Sequence, residues 1–130
     1  MKLPRIEAFS AVTLRLCGMR GAVEYEIISC DGGAEVSLYE LRYVRSTAER
    51  CLKKRAAVRS EDVLRLLNTC RLLSWDGFHG AHPRGVRDGT VFSLRAEVNG
   101  GKTIKADGSQ RFPKYFREFR DGITDMLGPK

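Results

Sequence analysis

Apolar and polar residues alternate along much of this chain, with two stretches where the period lengthens from two to nearly four. Val12, Leu14 and Leu16 are interleaved with Thr13, Arg15 and Cys17, the pattern of a strand with one face in a core and the other in water. Val23, Tyr25 and Ile27 alternate with Glu24 and Glu26 in the same way, and Cys17-Gly18-Met19-Arg20-Gly21 supplies a turn between the two runs. Asp31-Gly32-Gly33 marks a second turn, because glycine accepts positive φ without steric cost. A third strand is expected from about Ala34 to Tyr43. Connections this short join antiparallel neighbours, so the first third of the chain is expected to be an antiparallel meander.

The segment Arg45 to Arg59 crowds Arg50, Lys53, Lys54, Arg55 and Arg59 around Leu52, Ala56, Ala57 and Val58. It reads as a basic edge strand or as the start of a helix. The strand is the preferred reading, since charge on an exposed edge discourages sheet-to-sheet association. Ser60 is placed as an N-cap, with Glu61 and Asp62 at the positive end of a helix dipole. Val63, Leu66, Leu67 and Cys70 then recur at helical spacing, which predicts a helix over about Ser60 to Leu73. Past Trp75-Asp76-Gly77-Phe78, a loop with His79, Gly80, His82, Pro83 and Gly85 is rich in breakers and expected at the surface.

A hairpin is expected next. Phe92, Leu94, Ala96 and Val98 alternate with polar residues, Asn99-Gly100-Gly101 fits a tight turn, and Ile104 and Ala106 continue the apolar face. Pro113 suits the first turn of a final helix, in which Phe116, Phe119, Ile123, Met126 and Leu127 form an apolar stripe that Gly128-Pro129 ends. The predicted order is β-β-β-(β)-α-β-β-α. A sheet with one solvated face needs a cover on the other. The expected fold is therefore α+β: a two-layer sandwich of an antiparallel sheet of five or six strands with two helices packed on one face.

Composition narrows this picture without redirecting it. At 130 residues, with 42% hydrophobic and 30% charged residues, residues 1–130 are expected to form a single domain. No apolar run approaches the ~18 residues of a membrane span, and Met1 to Ser10 lacks the apolar centre of a secretory leader. The expected location is the cytoplasm, although a chain whose leader had been removed would read the same. Cys17, Cys30, Cys51 and Cys70 form no C-x-x-C pair, which removes zinc-knuckle and thioredoxin-like readings and leaves reduced, mostly buried thiols as the expectation. A net charge of +7 favours acidic partners: nucleic acid, phosphate-rich surfaces or an acidic protein face.

Trp75-Asp76-Gly77-Phe78, Asp88-Gly89-Thr90-Val91-Phe92-Ser93-Leu94 and Phe112-Pro113-Lys114-Tyr115 stand in that order along the chain. The series resembles a family of uncharacterised bacterial domains with a W-D/N-G-F, D-G-x-x-F-S-L, F-P-x-x-Y signature, over Ser60 to Leu127. The resemblance implies a single domain and brings no activity, cofactor or catalytic residue. Read from the residues, Trp75 and Phe78 close a core between helix and sheet, and Asp76 and Asp88 accept backbone N–H bonds in the following loops. The other reading of Trp75, Asp76, Phe78 and Tyr115 is a binding surface, because aromatic residues with a polar edge also line ligand sites.

His79 and His82, with Asp76 or Asp88, have the residue types of a two-His, one-carboxylate metal site, but a glycine-rich loop does not fix their directions. No G-x-S-x-G elbow is present. Asn99-Gly100-Gly101-Lys102-Thr103 lacks the spacer and first glycine of a phosphate loop. The chain is therefore expected to be a non-enzymatic protein-binding or structural module without a cofactor. Nucleic-acid binding through the basic region Arg42–Arg59 (Arg50, Lys53, Lys54, Arg55, Arg59) is the alternative, and a metal-assisted hydrolase using the His79/His82 loop is the third reading.

Overall fold

A computed structural model describes residues 5–18, 21–81 and 90–128. Met19 and Arg20 of the first expected turn, His82, Pro83, Gly85, Asp88 and Gly89, and Pro129 lie outside the described residues. The elements run β1 (Phe9–Gly18), β2 (Gly21–Cys30), β3 (Gly33–Val44), β4 (Thr47–Val58), α1 (Ser60–Thr69), a 3-10 turn (Leu72–Trp75), β5 (His79–Gly80), β6 (Val91–Val98), β7 (Lys102–Ser109) and α2 (Phe116–Met126). The class is α+β, and the described residues form one sheet of seven strands in the order β4-β3-β2-β1-β6-β7-β5. All neighbours are antiparallel except β5 and β7.

Seven strands replace the expected five or six. The basic segment is a full strand, β4, joined to β3 through Arg45 and Ser46, both left-handed at φ 52 and 67. Its alternation is interrupted by a bulge: Leu38 pairs with Lys54 and Tyr39 with Leu52, so Lys53 is an extra residue. That interruption is why its periodicity alone leaves a helix open, and why the preferred strand reading rests on the charge of an exposed edge. The seventh strand, β5, falls where a surface loop is expected. It has only two residues and no alternation of its own. Backbone bonds from Gly77 N–H to Lys105 O and from Asp107 N–H to Phe78 O lay it beside β7.

The register divides the sheet into two faces. On one, Val12, Leu14 and Leu16 align with Ile27, Tyr25 and Val23 of β2 and with Ala96, Leu94 and Phe92 of β6. Val36, Ile104 and Ala106 extend this face, and a single buried cluster joins it to Val63 and Leu67 of α1 and to Phe116, Phe119 and Ile123 of α2. The helices meet closely: a Cβ on Gly122 would come within 2.5 Å of Leu66.

Both helices are shorter than the sequence suggests. Ser60 is the first helical residue, and Arg59 takes the cap position in an extended conformation without a side-chain bond, so the expected Ser60 cap does not form. At the other end Arg71 turns left-handed (φ 53) and the chain tightens into the 3-10 turn, which carries Leu72 and Trp75 into the core. α2 starts at Phe116, not at Pro113, because Tyr115 is itself left-handed (φ 70) and breaks the helix ahead of it. The approach to α2 depends on Gly80 and Gly108, paired across β5 and β7. A Cβ on Gly108 would lie 2.2 Å from Arg111 O, and one on Gly80 would lie 2.7 Å from Arg111 Cβ. Their bareness lets the chain cross the sheet there.

Two asparagines fasten the residues before β1. Asn68 accepts from Ile6 N–H and donates to Ile6 O, while Asn99 accepts from Glu7 and Ala8 N–H. All four cysteines are free, but burial holds for Cys70 alone; Cys17 and Cys51 are half-buried and Cys30 is exposed. Burial pushes the Cys70 thiol up to about 11, with the charge of Glu118 adding to it. Among the described residues, no helix is long and apolar enough to cross a membrane.

Candidate functional site

The signature residues sit where the 3-10 turn meets the approach to α2. Trp75 is 1% exposed. Its ring lies edge-on to Phe119 and tilted against Phe116, and its Nε1–H donates to Lys114 O at 3.1 Å. Asp76 accepts from Lys105 N–H at 3.1 Å and lies 3.7 Å from Lys102 Nζ. Phe78 is half-buried against Phe92. Tyr115, also half-buried, stands under the Lys114 ammonium. Trp75 and Tyr115 are thus linked through Lys114, whereas Asp76 is directed to the β7 backbone.

The second face of the sheet carries the charged positions. Neighbouring strands align Leu52, Tyr39, Glu24, Arg15, Ser93, Asp107 and His79 in one row across the whole sheet. The next row aligns Arg55, Ser37, Glu26, Thr13, Arg95 and Lys105. Glu24 is only 3% exposed, although it lies on the face opposite the one that packs against α1 and α2. Arg15 and Arg50 each donate to its carboxylate at 2.8 Å, and Arg50 also reaches Glu26 while its guanidinium lies over the Tyr39 ring at 4.2 Å. Burial pushes the Glu24 carboxyl up, but hydrogen bonds and charge from Arg50 and Arg15 outweigh it and hold the group below the ordinary carboxylate range. Glu24, with Glu26 adding to it, in turn raises Arg50 above its ordinary value.

The basic residues of β4 are spread over both faces. Arg50 and Arg55 belong to the charged face, where Arg55 bonds Ser37 Oγ, Tyr39 Oη and Glu35. Lys53 reaches Glu40 on the other side, and Arg59 pairs with Glu61. Lys54 has no carboxylate within 4 Å among the described residues. Every other member of this basic patch is tied to an acid supplied by a neighbouring segment.

His79 meets Asp107 through Nδ1, not Asp76; His82 and Asp88 lie outside the described residues. Among the described residues no group of three His, Cys, Asp or Glu is placed to hold a metal ion. Ser93, Asp107 and His79 share a row, but with the aspartate in the middle. In a nucleophilic triad the histidine must stand between the other two.

Two depressions border these features. One, of about 350 Å³, opens on the charged face, with Thr13 and Ser93 as a low floor between the longer Arg15, Arg95 and Lys105, and with the carboxylates of Glu24 and Asp107 also in its lining. Arg95 and Lys105 stand directly opposite each other, and Lys105 has no carboxylate within 4 Å among the described residues. Like charges so placed repel. The other, of about 500 Å³, lies beside α2 between Leu16, Phe112, Tyr115, Arg117, Glu118 and Arg120.

The alternation of the strands puts Arg15 and Glu24 on the water-facing side and singles out neither Arg95 nor Lys105. The signal was in the turns: pairing Gly18 with Gly21 sets Arg15 opposite Glu24, and pairing Val98 with Lys102 sets Arg95 opposite Lys105. No family model and no curated protein matches the chain.

Proposed function

We propose that the protein is a non-enzymatic binding module: a two-layer sandwich whose helices back one face of the sheet and whose charged face docks an acidic surface of a protein partner. The observation that carries this reading is the cross-strand Arg95–Lys105 pair. Two cations opposite one another cost stability; Arg95 is partly compensated by Glu97 at 3.5 Å, so it is Lys105 that an incoming carboxylate would pair. Trp75 and Phe78 serve as framework here, with Trp75 closing the core. The nucleic-acid reading through Arg42–Arg59 has less support, because Glu24, Glu26, Glu35 and Glu40 already engage most of those cations.

The test is Lys105→Glu, which exchanges the repulsive pair for an attractive one. The variant is expected to gain roughly 0.2–1 kcal/mol in denaturant unfolding while losing a cross-linked partner that the parent protein captures. Arg65→Glu, on α1, serves as a control of equal charge change. Capture that survives Lys105→Glu, or that fails equally with Arg65→Glu, defeats the reading.

A further inference from the structure

The depression beside α2 lies apart from the charged face and shares no lining residue with the depression there. Phe112 is 37% exposed, and it is braced from behind by stacking on Phe116 at 4.6 Å and by Phe92 at 5.4 Å. The ring it offers is therefore rigid. Tyr115 makes an adjoining wall and is held at φ 70, a conformation that a bulky side chain rarely adopts. Strain of this kind persists only where the surroundings enforce it, and it collects at binding sites. Here the buried Trp75 enforces it, by bonding the carbonyl of Lys114 immediately before Tyr115.

The polar groups of the groove complete a recognisable set. Arg117 has no carboxylate within 4 Å among the described residues, and Arg120 is 3.6 Å from Asp121. Glu118, between them in sequence, contributes an acceptor to the same groove. A flat ring would find stacking faces on Phe112 and Tyr115. An anionic group would find two guanidiniums suited to bidentate contact. N–H donors on the ring would find the Glu118 carboxylate. The volume lies in the range of small-molecule sites.

We propose that this groove binds a nucleotide, with its base against Phe112 and Tyr115, its phosphate on Arg117 and Arg120, and an amino group of the base, the exocyclic amine in adenine, facing Glu118. The ligand is either a free mononucleotide or a nucleotide within a strand, and both present the same chemistry.

Trp75 is the single tryptophan and touches the backbone of the groove, so its emission serves as a reporter alongside calorimetry. Titration with adenosine monophosphate is expected to give saturable binding by both readouts, at least tenfold tighter than adenosine or inorganic phosphate. Arg117→Ala with Arg120→Ala is expected to weaken it at least tenfold. Tyr115→Gly suits the left-handed backbone but gives up the packing of a half-buried ring against the core, so it is read at a temperature where circular dichroism shows the variant folded, and there it is expected to weaken binding several-fold. A short oligoadenylate that binds tighter than the monophosphate, with an affinity that falls as salt rises, identifies a strand as the source; equal affinities identify the free nucleotide. No saturable heat with the monophosphate, or binding indifferent to both arginines and to Tyr115, overturns the proposal. The sheet-face variant Lys105→Glu is expected to leave nucleotide binding unchanged, which separates this site from the docking face.

Discussion

Leu14 of β1 and Glu24 of β2 are almost equally hidden, at 0% and 3% exposure, yet they lie on opposite faces of adjacent strands. Leu14 is covered by the apolar layer that the two helices complete, and each square ångström it removes from water favours the fold by ~25 cal/mol. Glu24 is hidden by its own sheet neighbours, chiefly Arg15 and Arg50 leaning across it. Burying that carboxylate is unfavourable in itself, and only the charge-assisted hydrogen bonds offset it. Among the described residues, no buried side-chain polar atom lacks a partner. One face is held by area, which tolerates imprecision. The other is held by pairing, which does not.

The largest effect is expected from breaking the covered face. Phe119 is 0% exposed and meets Trp75 edge-on at 5.4 Å. Phe119→Ala leaves a cavity between α2, the 3-10 turn and the sheet, and is expected to cost about 3–5 kcal/mol in urea unfolding. A loss below about 1 kcal/mol would mean that α2 is not a structural part of this layer. The charged face is expected to keep its ion pairs only while that layer holds the strands in register.

Glu24→Gln comes next, with an expected loss of about 1–3 kcal/mol at neutral pH: it removes the charge but keeps the shape. The figure stays below that of a fully buried pair because both arginines are 45% exposed. Its pH dependence has a definite sign. The folded protein holds Glu24 below the ordinary carboxylate range, so its stabilisation is complete above the unfolded pKa and is lost as pH falls through the folded one. The gap between parent and variant is therefore expected to close on acidification through and below the ordinary carboxylate range, and not on raising the pH. Parallel stability curves down to strong acid would show that the charge of Glu24 contributes nothing.

These two faces were not equally legible in the sequence. The alternations in Val12–Leu16, Val23–Ile27 and Phe92–Val98 are set by the apolar face, so a period of two finds the strands and half of their environment. It says nothing of what the polar half does, which is why Glu24 reads as solvated. Its partners lie 9 and 26 residues away and are fixed by turn register and by the Lys53 bulge. β5 escaped for the same reason, being imposed by β7. The ends of α1 and α2 were misplaced because Arg71 and Tyr115, neither of them a glycine, take left-handed conformations that tertiary packing imposes. Trp75 and Phe112 were visible as unusual residues, but their division into a buried anchor and a groove wall depends on Gly80 and Gly108 admitting the chain between them.

The smallest effect separates two ion pairs on the same charged face. Arg15–Glu24 joins a half-exposed guanidinium to a buried carboxylate at 2.8 Å, while Arg95–Glu97 joins groups 63% and 48% exposed at 3.5 Å. If burial of the acid is what gives pairing its weight here, a double-mutant cycle on the first pair, one of the two that Glu24 makes, should yield a coupling of about 0.5–1.5 kcal/mol that persists in high salt. The cycle on the second should yield under ~0.5 kcal/mol and vanish in salt. Arg95 has a further reason to give little, since Lys105 opposes it from the next strand. Arg95→Ala alone is thus expected to be neutral or slightly stabilising, the relief of repulsion cancelling the loss of Glu97. Equal couplings in the two cycles would mean that the sheet face acts as a uniform charged surface, and that Glu24 owes its concealment to crowding and not to its partners.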